Sequence, residues 1–175
     1  MASDYGLNFG FRRSDESMRT SDGRLKTPAT GTFRIGSLVT YDPATPGYLK
    51  AAAANEVGDG ATVGLLLQED AWDRSIYQTK HLDSYSLGLA LNNRNAVITS
   101  GAGTKVWFKN TAGSTRADGR VITAVTMVDL TGVAVKDYLT WDGAKFVKGA
   151  GPADSMLRVT VVDSANGYVE AVLTR

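Results

Sequence analysis

The chain has no cysteine, which excludes disulfide cross-links and thiolate metal centres and leaves the redox compartment open. It has one histidine, His81. Nucleophilic catalysis requires an activated nucleophile with a base beside it, and a lone histidine in a polar stretch reads as a surface or packing residue, so the expectation is a protein that is not an enzyme. An excess of charge of either sign is missing too. With 19 Lys and Arg against 18 Asp and Glu the formal net charge is +1, too little to draw in nucleic acid or an anionic membrane by its field. Nowhere are there the ~18 consecutive apolar residues of a membrane span. The N-terminal stretch lacks a signal-peptide h-region, which leads to the expectation of synthesis in a cytoplasm.

What is present is a globular composition: 43% hydrophobic residues, 19 Gly and 4 Pro in 175 residues. A chain of that length can form one domain with a core, burying roughly 70% of its unfolded surface. Two phrases in it nearly coincide. Residues 38–50 read LVTYDPATPGYLK and residues 138–148 read YLTWDGAKFVK. Aligned on Thr40 and Thr140, Val39 matches Leu139, Tyr41 matches Trp141 and Asp42 matches Asp142; after a gap of two, Tyr48, Leu49 and Lys50 match Phe146, Val147 and Lys148. Aromatic and β-branched residues on either side of Asp-Pro or Asp-Gly spell a β-hairpin. The likeness continues into Val63–Asp70 (VGLLLQED) and Leu157–Asp163 (LRVTVVD), so the repeated unit is a hairpin plus a following strand.

Strands are expected at Thr32–Tyr41, Tyr48–Ala52, Val63–Gln68, Ser86–Leu91, Ala96–Thr99, Lys105–Lys109, Arg120–Asp129, Ala134–Trp141, Lys145–Lys148, Leu157–Val162 and Tyr168–Leu173. Turn formers separate them. Many short strands at this spacing predict an all-β fold, a compact barrel or sandwich of antiparallel strands, with two related units at about 32–70 and 132–175. Residues 69–85 fit one short helix or a long loop.

Residues 1–31 differ from the rest. Five basic residues (Arg12, Arg13, Arg19, Arg24, Lys26) nearly cancel four acidic ones (Asp4, Asp15, Glu16, Asp22), and large apolar side chains are isolated at Tyr5, Leu7, Phe9, Phe11 and Met18. Leu7, Phe9 and Phe11 alternate with polar or small residues, as on one face of an extended strand. The segment therefore reads as an extended arm outside the core, mobile when free and ordered on a partner. Tyr5, Leu7, Phe9, Phe11 and Met18 are its apolar anchors, and Arg12 and Arg13 are its charged contacts. The alternative is a disordered terminus with scattered hydrophobes.

Other chemistry is weakly signalled. Glu69, Asp70 and Asp73 beside Trp72 suit a sugar or a metal, but their spacing fits no metal signature and a solvated turn explains them. Gly101-Ala-Gly103 leads into a strand instead of the helix that would hold a phosphate, and reads as a turn. Trp107, Phe108, Trp141 and Phe146 read as core and interface residues. No cofactor and no metal site is expected.

Residues 28–70, PATGTFRIGSLVTYDPATPGYLKAAAANEVGDGATVGLLLQED, resemble the start of the lambda-type head-decoration proteins of tailed phages, most specifically in Gly60-Ala-Thr-Val-Gly-Leu65. Those proteins share the order of polar arm, strand, hairpin with a polar loop, and Gly-rich segment. The resemblance covers about a quarter of the chain; the second hairpin unit departs from it. It implies a β-tulip-like fold and a capsid-stabilising virion protein. Such a protein binds the major capsid protein on the capsid exterior as a homotrimer, its arm extending one of the capsid protein's sheets, with no nucleic-acid or membrane partner. The competing class is another virion component, of tail, neck or fibre, or a carbohydrate-binding β module built on Trp72.

Overall fold

A computed structural model describes residues 9–12, 19–25, 36–54, 56, 63–69, 94–100, 102–119, 121–122 and 124–174. Among them the chain is all-β, with a 3-10 turn at Pro152–Asp154 and no α-helix. The strands are β1 (Phe9–Arg12), β2 (Arg19–Leu25), β3 (Leu38–Tyr41), β4 (Tyr48–Ala51), β5 (Val63–Glu69), β6 (Arg94–Ser100), β7 (Lys105–Lys109), β8 (Ser114–Thr115), β9 (Val121–Ile122), β10 (Tyr138–Trp141), β11 (Phe146–Lys148), β12 (Leu157–Asp163) and β13 (Tyr168–Leu173).

Six of them make a wholly antiparallel sheet in the order β1-β7-β13-β12-β10-β11. Five others pair in a ring, β2-β4-β3-β5-β6, whose last link is the short parallel pairing of β2 with β4. The six-stranded sheet buries one face, with an irregularity in β12 between Val159 and Val161. Val106 and Phe108 of β7, Leu157 and Val159 of β12, and Val169, Ala171 and Leu173 of β13 are buried on one face. They share a core cluster with Leu38, Ala52 and Leu65 of the ring, so the sheets pack face to face as a sandwich.

β3 and β5 have apolar residues on both faces, and the packing shows why. Leu38 and Leu65 enter the main core, while their neighbours Val39 and Leu66, with Leu49 and half-buried Tyr41, form a second cluster. A strand covered on both faces reads as a continuous apolar run instead of an alternation, as in Leu65-Leu-Leu67.

The repeat has a structural counterpart. β3 pairs with β4 and with β5, and β10 pairs in the same way with β11 and with β12. Asp42 and Asp142 perform one task in both turns: Oδ1 accepts from the N–H two residues on, Ala44 at 3.1 Å and Ala144 at 2.8 Å. The register corrects the second half of the sequence alignment. Leu49, not Tyr48, stands opposite Tyr41 as Phe146 stands opposite Trp141. A slip of one would turn every side chain to the other face, and it is Leu49 that is buried, like Phe146. The two units also face different neighbours. Trp141 is 2% exposed in the main core, edge-on to Phe146 at 4.9 Å, whereas Tyr41 is half-buried against the smaller cluster.

Three expected strands are shorter than the sequence suggests. Within 32–41 the strand is Leu38–Tyr41, preceded by a turn at Gly36. Among the described residues of 120–129 only Val121–Ile122 is a strand; Val125 and Val128 make isolated bridges to Thr111 and Phe146. Asn110 fixes this stretch, its Oδ1 accepting from the N–H groups of Met127 (2.8 Å) and Val128 (3.1 Å) while its Nδ2 donates to the Val128 carbonyl (2.7 Å). Within 134–141, Ala134–Asp137 is a turn in which Lys136 takes φ 79 and Asp137 Oδ2 accepts from the Ala134 N–H. Ser86–Leu91 lies outside the described residues, as does all of 69–85 except Glu69.

Candidate functional site

The N-terminal segment expected to contact a partner supplies two strands to the fold. β1 is an edge strand of the six-stranded sheet, with Phe9, Gly10, Phe11 and Arg12 in register with Phe108, Trp107, Val106 and Lys105. β2 joins the ring by antiparallel pairing with β6. The expectation of an arm outside the core is therefore corrected for these residues. Phe9 is 4% exposed and belongs to the main core, its ring 5.3 Å from that of Phe108. Gly36 provides its seat: with φ +84 it adopts a conformation that suits glycine, and a Cβ there would lie 2.6 Å from Phe9 Cγ.

The physical reason for the difference is the period-2 pattern itself. A strand with one apolar face satisfies an open sheet edge of its own chain as well as that of a partner. Phe11 stands in register with the inward position Val106, and Arg12 with Lys105. Tyr5, Leu7, Arg13 and Met18 lie outside the described residues.

Among the described residues β1 has one strand partner, β7, and no strand lies on its other side. The opposite margin of the sheet is closed. Segment 127–129 runs along β11: the Phe146 N–H donates to the Met127 carbonyl (2.8 Å), and the Asp129 N–H donates to the Phe146 carbonyl (2.8 Å). Two ion pairs reinforce that margin, Lys145 with Asp129 at 3.0 Å and Lys148 with Asp137 at 2.8 Å. The Lys145 hydrogen bond, with a further one from Thr131, pulls the Asp129 carboxyl down to about 2. The hydrogen bond from Lys148 lowers that of Asp137. Both carboxylates are solvent-facing, and such pairs contribute little to stability.

Among the described residues the sheet is thus asymmetric, one margin buttressed by segment 127–129 and the other ending on β1 of the N-terminal segment. Of the other sequence candidates, Phe108, Trp141 and Phe146 are core residues, and Trp107 is half-buried on the face away from the core. Gly103, at φ 85, is in a turn whose N–H donates to Leu173. Glu69 ends β5; His81, Asp70, Trp72 and Asp73 lie outside the described residues. Among the described residues no three His, Asp or Glu converge as a metal site would require, and no helix is long and apolar enough to cross a membrane. The role of Asn110 was not foreseen. An Asn after a strand signals a turn, and nothing local says which distant backbone it will hold. A scan of family models finds no match to this chain, and a search of curated proteins finds none either.

Proposed function

We propose that the protein is a structural component of a phage virion that binds the outer surface of an assembled capsid and stabilises it, with the β1 margin as its docking edge on the major capsid protein. The observation that carries the proposal is that edge. A strand from the N-terminal segment closes one side of the sheet and has no further strand partner among the described residues. Strand addition there supplies backbone hydrogen bonds to a partner without any reactive group.

A second feature supports the reading. Within the stretch that resembles the decoration proteins, the described residues form the hairpin β3–β4, and Val63–Glu69 pairs beside β3. In the proposal the protein is made in the host cytoplasm, associates as a homotrimer and coats the expanded capsid. Many weak sites on one shell then give a persistent coat.

The test is co-sedimentation of the purified chain with shells assembled from the major capsid protein of the same genome. The comparison is the double charge reversal Arg12→Glu with Arg13→Glu. Arg12 stands opposite Lys105, so the reversal relieves a like-charge pair and should leave the fold intact. The wild type should sediment with the shells and the folded variant should stay in the supernatant. Wild-type protein that does not sediment at any concentration refutes the proposal.

A further inference from the structure

The outward face of the six-stranded sheet carries a second feature, adjoining the proposed docking edge. On β7 the alternation Lys105-Val-Trp-Phe-Lys109 buries Val106 and Phe108 and turns Trp107 to the other face. Trp107 stands in register between Gly10 of β1 and Glu170 of β13, and Val161 of β12 continues the row. The next row pairs Lys109 with Tyr168 and Tyr168 with Asp163. Neighbouring strands are about 4.8 Å apart, so these rows form one continuous surface.

Four observations point to the kind of ligand this surface suits. First, the Trp107 and Tyr168 rings are neighbours, with centroids 6.3 Å apart and planes inclined by 30°, both half-buried. They form a shallow two-ring platform instead of an edge-to-face core pair. Second, the cross-strand position beside Trp107 is glycine, which puts no side chain next to the indole from β1 at that position. A glycine in a strand interior otherwise weakens it and often marks close approach of a ligand or backbone. Third, the Tyr168 hydroxyl donates to Glu170 Oε1 at 2.6 Å, which fixes the phenol and leaves the second carboxylate oxygen at the rim of the platform. Fourth, the Trp141 indole N–H is used within the core, on the Ala52 carbonyl, whereas the Trp107 indole N–H has no hydrogen bond among the described residues.

We infer that this face is a binding platform for the pyranose rings of a glycan, with Trp107 and Tyr168 stacking on the apolar face of the sugars and Glu170 accepting from their hydroxyls. A sugar ring combines an apolar face with a rim of hydroxyl donors, and this surface offers a complement to each. The charges argue for sugar over the other ligand that stacks on aromatics, a single-stranded nucleic acid. Nucleic-acid platforms sit in a positively charged groove, but here each ring has a carboxylate directly opposite, Glu170 beside Trp107 and Asp163 beside Tyr168; Lys109 flanks Tyr168 on its other side, and Arg12, Lys105 and Arg158 share the row beyond Trp107. Burial first, then Glu170, raises the Tyr168 hydroxyl to about 12, so it remains a proton donor to Glu170 at any physiological pH.

The test is a glycan array probed with the labelled full chain, with a labelled twenty-residue oligothymidylate measured by fluorescence polarisation as the second arm. Two variants accompany the wild type: Trp107→Ala removes the platform, and Gly10→Thr fills the space beside the indole with a residue that suits a strand. Both are checked for folding by circular dichroism. The expected result is dose-dependent binding of the wild type to at least one class of glycan, weakened at least tenfold in each folded variant, with no binding of the oligothymidylate. Trp72→Ala should bind as the wild type does. Failure of the wild type to bind any glycan overturns the inference. So does binding to the oligonucleotide alone, or glycan binding unchanged in a folded Trp107→Ala or Gly10→Thr protein.

Discussion

Replacing Phe9 by alanine separates two roles for the N-terminal segment. If Phe9 were a partner anchor, its loss would weaken binding and leave the isolated protein untouched. The structure instead buries the ring to 4% exposure, against Phe108 at 5.3 Å and over Gly36. Phe→Ala in a core costs about 3–5 kcal/mol, the spread reflecting how far the site collapses. β1 is an edge strand four residues long, so partial collapse is available and the expected cost is about 3 kcal/mol. A chain of this size has a urea m-value on the order of 2 kcal/mol/M, so the midpoint should fall by about 1.5 M with m unchanged.

Gly36 sharpens the experiment. Gly36→Ala alone drives a Cβ into the Phe9 ring at a positive φ and should itself destabilise the protein. In the double variant the collision with the ring is gone and only the backbone strain remains, so the two costs should fall short of additivity by at least about 1 kcal/mol. A midpoint that moves by less than about 0.3 M in Phe9→Ala, or strictly additive costs, would refute the packing of β1 into the core.

Three further outcomes follow from the same geometry. Trp141→Phe removes the indole donor from the Ala52 carbonyl, a 3.0 Å bond that ties the second repeat to the first; leaving that buried acceptor unpaired should cost about 1–3 kcal/mol in urea unfolding. Asn110→Ala releases the N–H groups of Met127 and Val128, so their amide exchange should accelerate well beyond that of the β12–β13 ladder, and equal protection would contradict the role assigned to Asn110. The Asp129 carboxyl, lowered to about 2 chiefly by the Lys145 hydrogen bond, should titrate closer to 3.8 in Lys145→Met when followed by NMR. Because its folded value is depressed, whatever stability it contributes is present above the unfolded value and lost as pH falls through about 2.

The hairpins were legible because their signals are local. Apolar pairs flank Asp-Pro and Asp-Gly, and a repeat a hundred residues away says the same thing twice. Lys105–Lys109 and Tyr168–Leu173 were legible with their bounds, since each alternates against a single core face. The stretches 120–129 and 134–137 misled because β-branched residues there suggest strands. Asn110 instead holds one by side-chain hydrogen bonds, and Asp137 caps a turn in the other. The N-terminal segment misled for a different reason. Its period-2 face was visible, but sequence spacing does not say whose sheet edge it completes. Of the platform, the outward turn of Trp107 was implicit in the Lys-Val-Trp-Phe-Lys alternation, whereas its neighbours Tyr168 and Gly10 come from strands β13 and β1, joined to β7 only by the sheet order.

The proposed function rests on attachment to a shell, and one measurement addresses it directly: electron microscopy of capsid shells, from the same genome and lacking this protein, after incubation with the purified chain. The account predicts added density on the outer surface at symmetry-related positions, as three-lobed knobs whose contact with the shell runs through the β1 margin. Shells that remain bare at saturating protein would contradict it, as would density attached through the buttressed β11 margin with β1 facing solvent.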